Sequence, residues 1–456
     1  MRSIENDDVG FHGLLRRVVD ARSGEVRALL ASFAFFFLLL GSYFVMRPMR
    51  DAVAAASGVT TLPWLFAGTL AVTLLCNPLF AWLVVRFPVR RVIPIAYHFF
   101  TASFLAFYTV LRFAAGGEGS AVDVWMGRAF FVWLTVFALF NTSMFWSLMA
   151  DAFRSDQAKR LFGFIGVGGT LGSIIGSAVT AALAPKIGAV NLLLVASGLL
   201  QLAVLVITRF PLETVGGDDR ATRRDEVIGG TVWSGFAHIS QSPYLLGICG
   251  FLLFYVFGST VLYFAQSDLV GQLYADRTAR TAILARLELV TQVLTVLTQV
   301  FFTARIIRWL GLAAALAILP ALSVIGFGVL GAMSAWQVVA IFTVLRRATN
   351  FSIMNPAMEV LFTAVPREDK YKAKSVIETF VYRGGDQLAA WAYAGLAALG
   401  LGLAGISWVA VPVSAAWVML GVWLGRQHER RAHQSSARPV AGGTPASLTD
   451  LQPELT

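Results

Sequence analysis

Three charges close the first apolar run of this chain. Ala28 to Met46 is 19 residues without a charge, and Arg47, Arg50 and Asp51 follow at once in MRPMRDAV. Arginines recur in the same setting. Arg346 and Arg347 come after 37 uncharged residues, Trp309 to Leu345, and Arg383 and Asp386 precede 38 more, Leu388 to Gly425. A charge inside a lipid-crossing helix costs about 3 kcal/mol or more unless it faces a cavity or is paired. The arginine fork matches phosphate and carboxylate oxygens two at a time. The chemistry these residues point to is the capture of an anion within a membrane.

Each position has a plainer reading. The first helix could end at Met46 with its charges in water. It could instead run from Ala28 to Ala56, kinked at Pro48, with Arg47 and Arg50 on adjoining turns facing the outer part of a cavity. We expect the second, with Asp51 pairing with Arg47 four residues earlier. Arg346 and Arg347 lie about 24 Å of helix before Phe362, either at an interface or in the cavity. Helix neighbours point about 100° apart, so at most one of the two is expected to face a cavity. Arg128 and Glu288, each early in a span, could snorkel to an interface or turn inward. Glu359 and Glu378 flank a basic loop as helix-end carboxylates. Together with Asp151, Lys159, Lys374 and Asp386 they are the candidate coupling or gating residues.

Membrane helices must position these groups. The chain is 57% hydrophobic and 14% charged, against about 25% charged in soluble proteins. Uncharged runs of 18 or more residues are candidate spans. They divide the sequence into twelve expected helices, near 28–46, 61–85, 92–112, 124–150, 161–184, 188–208, 244–265 and 283–304, with four more between Trp309 and Gly425. The expected fold is an all-α membrane protein of twelve transmembrane helices in two six-helix pseudo-symmetric halves, 28–208 and 244–425. A cytoplasmic segment (1–27), a polar linker (209–243) and a disordered tail (426–456) complete it. Arg and Lys gather in alternate loops, which places both termini in the cytoplasm. That bias also accounts for the net charge of +10 without a nucleic acid partner. Residues 1–27 are polar and do not read as a signal peptide.

An internal repeat supports two halves. NTSMFWSLMADAF (141–153) and NFSIMNPAMEVLF (350–362) share Asn, Ser, Met and Phe at one offset. Ala158-Lys159 then matches Ala373-Lys374, and Gly169 matches Gly384. Paired repeats with a site between them are a transporter architecture, that of the major facilitators. GFIGVGGTLGSIIGSAV (163–179) lacks a preceding strand and a Gly-Lys-Ser/Thr, so it is not a phosphate loop. Gly168, Gly172 and Gly176 instead make a flat face for close helix packing, as do Gly169, Ser173 and Ser177. No catalytic triad, metal cluster, kinase motif or disulfide pattern is present, so neither enzyme activity nor a cofactor is expected. Cys76 and Cys249 read as packing residues.

Three blocks resemble the ATP/ADP carrier family of nucleotide transporters. MRPMRDAV is similar to the family's charged end of helix 1, with Arg47, Arg50 and Asp51 on its charged positions. FWSLMADAFRSDQAKRLFGFIG (145–166) and MEVLFTAVPREDKYKAKSVIETFVYRGGD (358–386) are similar to its helix ends, basic loops and Gly-rich helix. The blocks cover about 60 residues of the chain. Departures are an apolar region near Leu134 where the family has Glu, Asp386 after Gly385 where it has Lys, and no acid in Tyr244–Ala265. The resemblance implies a major-facilitator-like fold and transport of nucleotide-like anions; it does not imply strict ATP/ADP exchange.

The expected function is a secondary-active carrier of an anionic, nucleotide-like or otherwise phosphorylated solute, working as a monomer in the lipid bilayer of the inner membrane. Arg47, Arg50, Arg346, Arg347 and Arg383 are its expected anion ligands, with Asp51 orienting Arg47. The alternatives are a proton-coupled transporter using Asp386 or Glu378, and a membrane module that transports nothing.

Overall fold

A computed structural model describes residues 22, 25–86, 89–210, 239–365 and 377–436, and these are helical almost throughout. In chain order the helices are α1 Val26–Ser57, α2 Leu62–Arg86, α3 Val89–Thr109, α4 Ala121–Ala152, α5 Ser155–Ile187, α6 Leu192–Thr208, α7 Pro243–Leu273, α8 Arg277–Thr298, α9 Ala304–Ala332, α10 Trp336–Thr349, α11 Asn355–Leu361, α12 Tyr382–Ala398 and α13 Leu403–Ser436. Single π-helical turns extend α3 (Val110–Ala114) and α8 (Gln299–Thr303), join α10 to α11 (Asn350–Met354), and lead into α12 (Ile377–Val381).

Among the described residues, seven helical stretches are long and apolar enough to cross a bilayer, and two shorter apolar helices lie at Leu62–Cys76 and Leu192–Thr208. The longest, Arg277–Ala332, has 56 residues, about 84 Å if straight. It breaks at Gly311, whose φ of 80° and ψ of 170° are open to a residue without a Cβ. The chain is a multi-pass integral membrane protein.

The helices outrun the uncharged runs of the sequence. Helix α1 continues through Pro48 to Ser57, so its charges lie within it, as the longer reading of the first helix anticipated. Helix α7 reaches Leu273 and α8 begins at Arg277. Side-chain caps start several of them. Ser120 accepts the Asp123 amide at 3.1 Å, and Asp276 accepts the Ala279 amide at 2.8 Å, each satisfying a donor that a helix start leaves free. Helix α13 runs to Ser436, past the expected limit at Gly425; residues 437–456 and 211–238 lie outside the described residues.

The core packs as three larger apolar clusters and a small fourth of Ala52, Ala55, Val270 and Leu284. One apolar cluster joins α1 and α3–α6, and a second joins α7, α9, α11 and α13. A third gathers Val53, Leu62, Phe131, Phe264, Phe327, Tyr393 and Ile406, residues from both sides of the chain's midpoint. Across the two sides, α2 packs on α12, α5 on α8 and α1 on α7. The repeat positions Asn141, Met149 and Phe153, and their matches Asn350, Met358 and Phe362, are all buried. Three of the four recurring residues are thus core positions in both copies; of the shared serines, Ser352 is buried and Ser143 is half-buried.

The glycine face of α5 lies on α1. A Cβ on Gly172 would stand 2.2 Å from the Phe37 carbonyl oxygen, and one on Gly176 would stand 2.5 Å from that of Gly41. Backbone therefore meets backbone along this pair, which holds the α1 arginines in place.

Candidate functional site: a cavity between the halves

A cavity of about 300 Å³ lies between the two sides of the bundle. The first side contributes Arg47, Arg50 and Asp51 of α1, Phe66 and Thr69 of α2, and Phe131 and Thr135 of α4. The second contributes Tyr255, Ser259, Tyr263 and Gln266 of α7, Thr343, Arg346 and Arg347 of α10, and Arg383, Asp386 and Gln387 of α12. The five expected anion ligands and Asp51 all line this one space. Five guanidinium groups share it with the carboxylates of Asp51 and Asp386.

The arginines differ in how they are compensated. Arg50 folds onto its neighbour, with Nε and Nη2 donating to Asp51 Oδ1 at 3.1 and 2.8 Å. Its guanidinium carbon sits 5.0 Å from the centre of the Phe131 ring. The same Asp51 oxygen accepts the Tyr263 hydroxyl of α7 at 3.1 Å. Arg47 does not pair with Asp51 as its spacing suggested. It reaches across to α8, where Nη1 donates to Glu288 Oε1 at 3.0 Å. Helical spacing sets which groups are neighbours on one helix, but a carboxylate on a facing helix competes for the same fork.

Glu288 is 3% exposed, and this overturns the snorkelling alternative. It also holds Arg347, whose Nη1 and Nη2 donate to Oε2 and Oε1 at 2.7 and 3.0 Å, and Gln292 donates at 2.9 Å. One carboxylate thus joins α1 to α10.

Arg346 is 2% exposed and takes only neutral acceptors. Nε donates to Ser323 Oγ at 3.2 Å, Nη1 to Ser259 Oγ at 2.7 Å and Nη2 to the Tyr255 carbonyl at 2.9 Å. The rings of Tyr255 and Trp417 lie 5.2 and 5.9 Å from its guanidinium carbon. Three of its five donors are used and, among the described residues, no carboxylate pairs with it. A Cβ on Gly258 would come within 2.9 Å of Nη2, so this seat needs a residue without a side chain beside it. Arg346 and Arg347 both line the cavity, against the expectation that at most one does. Their directions do diverge, Arg346 toward α7 and α9 and Arg347 toward α8, but the cavity spans that arc of α10.

The candidate coupling residues separate. Asp386 lines the cavity beside Arg383. Asp151 and Glu359 are exposed near the ends of α4 and α11 and do not line it. Lys159 and Glu378 fall on α5 and the turn before α12, but their side chains lie outside those described, as does all of Lys374. Arg128 lies over the Trp125 ring at 5.0 Å and is not part of the cavity wall.

Sequence reasoning left Glu288 and Tyr263 out of the site. A lone acid, two residues after Arg286 in an otherwise apolar stretch, was the available signal for Glu288. Nothing local marks Tyr263, which is defined by what it meets across the bundle.

Further hydrogen bonds between the sides lie toward the end of α1 and the starts of α4 and α8, with one more from Gln387 of the cavity wall. Arg277 Nη2 donates to Asp123 at 2.6 and 2.7 Å, and Arg280 Nη2 donates to Glu118 at 2.7 Å. Ala189 N donates to Thr278 at 3.4 Å, and Gln387 Nε2 to the Pro63 carbonyl at 3.3 Å.

Comparison with known proteins agrees with the motif resemblance. No family model matches the chain. It is 26% identical over 229 residues to ADP,ATP carrier protein 2 of Chlamydia pneumoniae, a match covering 44% of this chain and 42% of that protein. It is 24% identical over 220 residues to ADP,ATP carrier protein 2 of Chlamydia trachomatis serovar D, covering 42% and 40%. The match thus spans about two fifths of the length of these relatives. Among solved structures the chain is similar to the D-xylose-proton symporter (TM-score 0.60, 14% identity, 89% of this chain and 97% of that one). It is also similar to the nucleoside transporter NupG (TM-score 0.52, 13% identity, 90% and 99%). The fold is that of major-facilitator-type transporters.

Proposed function

We propose that this chain is a secondary-active carrier for an anionic, nucleotide-like or otherwise phosphorylated solute, exposed alternately to each side of the membrane by rocking of two six-helix halves. The observation that carries the reading is Arg346: a buried guanidinium with free donors at a cavity wall and no carboxylate partner among the described residues. Burying an uncompensated cation is costly, and an anion entering the cavity supplies the missing charge. Arg50 and Arg47 hold the anion from the first half, and Arg346, Arg347 and Arg383 hold it from the second. The names of the two relatives favour a nucleotide.

No chemical step is assigned to the site; its work is binding and re-exposure. The carrier acts as a monomer in the inner membrane with both termini in the cytoplasm. The contacts beyond the cavity then close its outer mouth. Asp386, beside Arg383 in the wall, supports a second reading in which a proton accompanies the solute.

Purified chain in liposomes should take up labelled ATP or ADP, and Arg346→Ala should abolish the uptake. Equal uptake by wild type and variant refutes the role of Arg346. Uptake that collapses with an uncoupler favours the proton-coupled reading.

A further inference from the structure

Resting on the proposed carrier reading, we infer that Glu288 is a built-in substitute for the cargo anion, which lets the empty carrier close and return and so sustains net transport as well as exchange. The geometry is that of a bound anion. Glu288 sits behind the cavity wall and takes three guanidinium donors, one from Arg47 of the first half and two from Arg347 of the second, at 2.7–3.0 Å. Gln292 donates to the same carboxylate from one turn away at 2.9 Å. A carboxylate gripped by a fork presents the pattern that a cargo phosphate or carboxylate would present.

The consequence lies in the empty state. A cavity lined by guanidinium groups that only cargo can neutralise cannot close when empty without drying unpaired charges, which is strongly unfavourable. Such a carrier moves only when loaded and performs strict exchange. Here Arg47 and Arg347 already have an anion that travels with the protein. Arg50 is likewise neutralised by Asp51, which also reaches Tyr263 of the other half. Arg346 is already dry, 2% exposed, with Ser259, Ser323 and the Tyr255 carbonyl of its own half as acceptors, so closing the empty cavity dries no further charge there, and Arg383 has Asp386 in the same wall. Cargo competes with Glu288 for Arg47 and Arg347, and release of cargo returns them to it.

The test compares two fluxes in liposomes carrying the full chain. Labelled ATP, inorganic phosphate and succinate are each offered to vesicles that are empty or preloaded with the same unlabelled anion. Wild type is expected to fill empty vesicles at a rate within about threefold of preloaded ones. Glu288→Gln removes the substitute charge and keeps the shape. It should lower net uptake at least about tenfold relative to exchange, and Glu288→Asp should restore part of the net flux. Wild-type uptake confined to preloaded vesicles overturns the inference, and that arm decides even where Glu288→Gln fails to fold. Undiminished net uptake by Glu288→Gln overturns it too, as does loss of exchange and net flux together in a variant with native melting behaviour. Absence of uptake of all three anions by wild type is a different result: it refutes the carrier reading beneath the inference.

Discussion

Asp123 in the first turn of α4 and Arg277 at the start of α8 lie 154 positions apart, yet Arg277 Nη2 stands 2.7 and 2.6 Å from the two carboxylate oxygens. Beside them, Glu118 accepts the Arg277 amide at 2.8 Å and Arg280 Nη2 at 2.7 Å. Two acids from the N-terminal side of the chain thus clasp two arginines from the C-terminal side, and Asp123 and Arg280 are both buried. Breaking one partner of a buried pair costs about 3–5 kcal/mol because the other is left unpaired. Asp123→Ala should therefore open this end of the bundle. Maleimide labelling of a Gln266→Cys reporter in the cavity wall should accelerate at least about tenfold, a factor that needs only about 1.4 kcal/mol. The swapped pair Asp123→Arg with Arg277→Asp should restore slow labelling. Labelling unchanged by Asp123→Ala shows that the clasp does not hold this mouth shut.

Arg346 can be tested through its neighbour. Gly258→Leu intrudes on the guanidinium without removing any charge, since even a Cβ there comes within 2.9 Å of Nη2. Hydrogen bonds to charged groups contribute about 1.5–3 kcal/mol, so on the proposed reading affinity for ATP should fall roughly 10- to 100-fold, read by isothermal titration. Unaltered affinity rules out that Arg346 contacts the anion from its present seat.

The α1–α5 seam should tolerate no side chain. Gly172→Leu drives the helices apart, because the Cβ alone would stand 2.2 Å from the Phe37 carbonyl oxygen. Overpacking costs about 1–3 kcal/mol or more, so the melting temperature in detergent should drop by several degrees. Gly163→Leu, on the same helix with open space at its Cβ, is the control and should melt near wild type.

Acid should loosen the start of α1. Burial raises the Glu25 carboxyl, but the Arg22 amide, Gln157 and Arg160 outweigh it and hold the group below its ordinary range. A carboxyl depressed in the fold stabilises fully above its unfolded pKa, and that contribution is lost as pH falls through the folded value. Wild type should lose melting temperature from about pH 4.3 downward, and Glu25→Gln should show a flatter profile there. Parallel profiles show that the Glu25–Arg160 contact adds nothing to stability.

Sequence reading picked out much of the charge lining the candidate site because of where charge is allowed. In an apolar chain every arginine within a span must answer for its desolvation, so Arg47, Arg50, Arg346, Arg347 and Arg383 stood out by position alone, and all line the cavity. Helical periodicity likewise exposed the α5 glycine face. Both signals are local: hydropathy and spacing act within one helix, and a single chain of letters carries them.

Which charge meets which was decided only in three dimensions. The spacing of Arg47 and Asp51 pointed to each other, but Arg47 took Glu288, 241 positions away, and Asp51 took Arg50 and Tyr263. The uncharged runs also ended the helices too early, because paired ends such as Arg277 and Asp123 can be buried once a partner is present. Pairing energy depends on distances between helices, and those distances follow from how the helices pack. The sequence alone therefore determined a membrane bundle with anion-seeking groups inside it. The tertiary structure determined that one of its own carboxylates already occupies two of them.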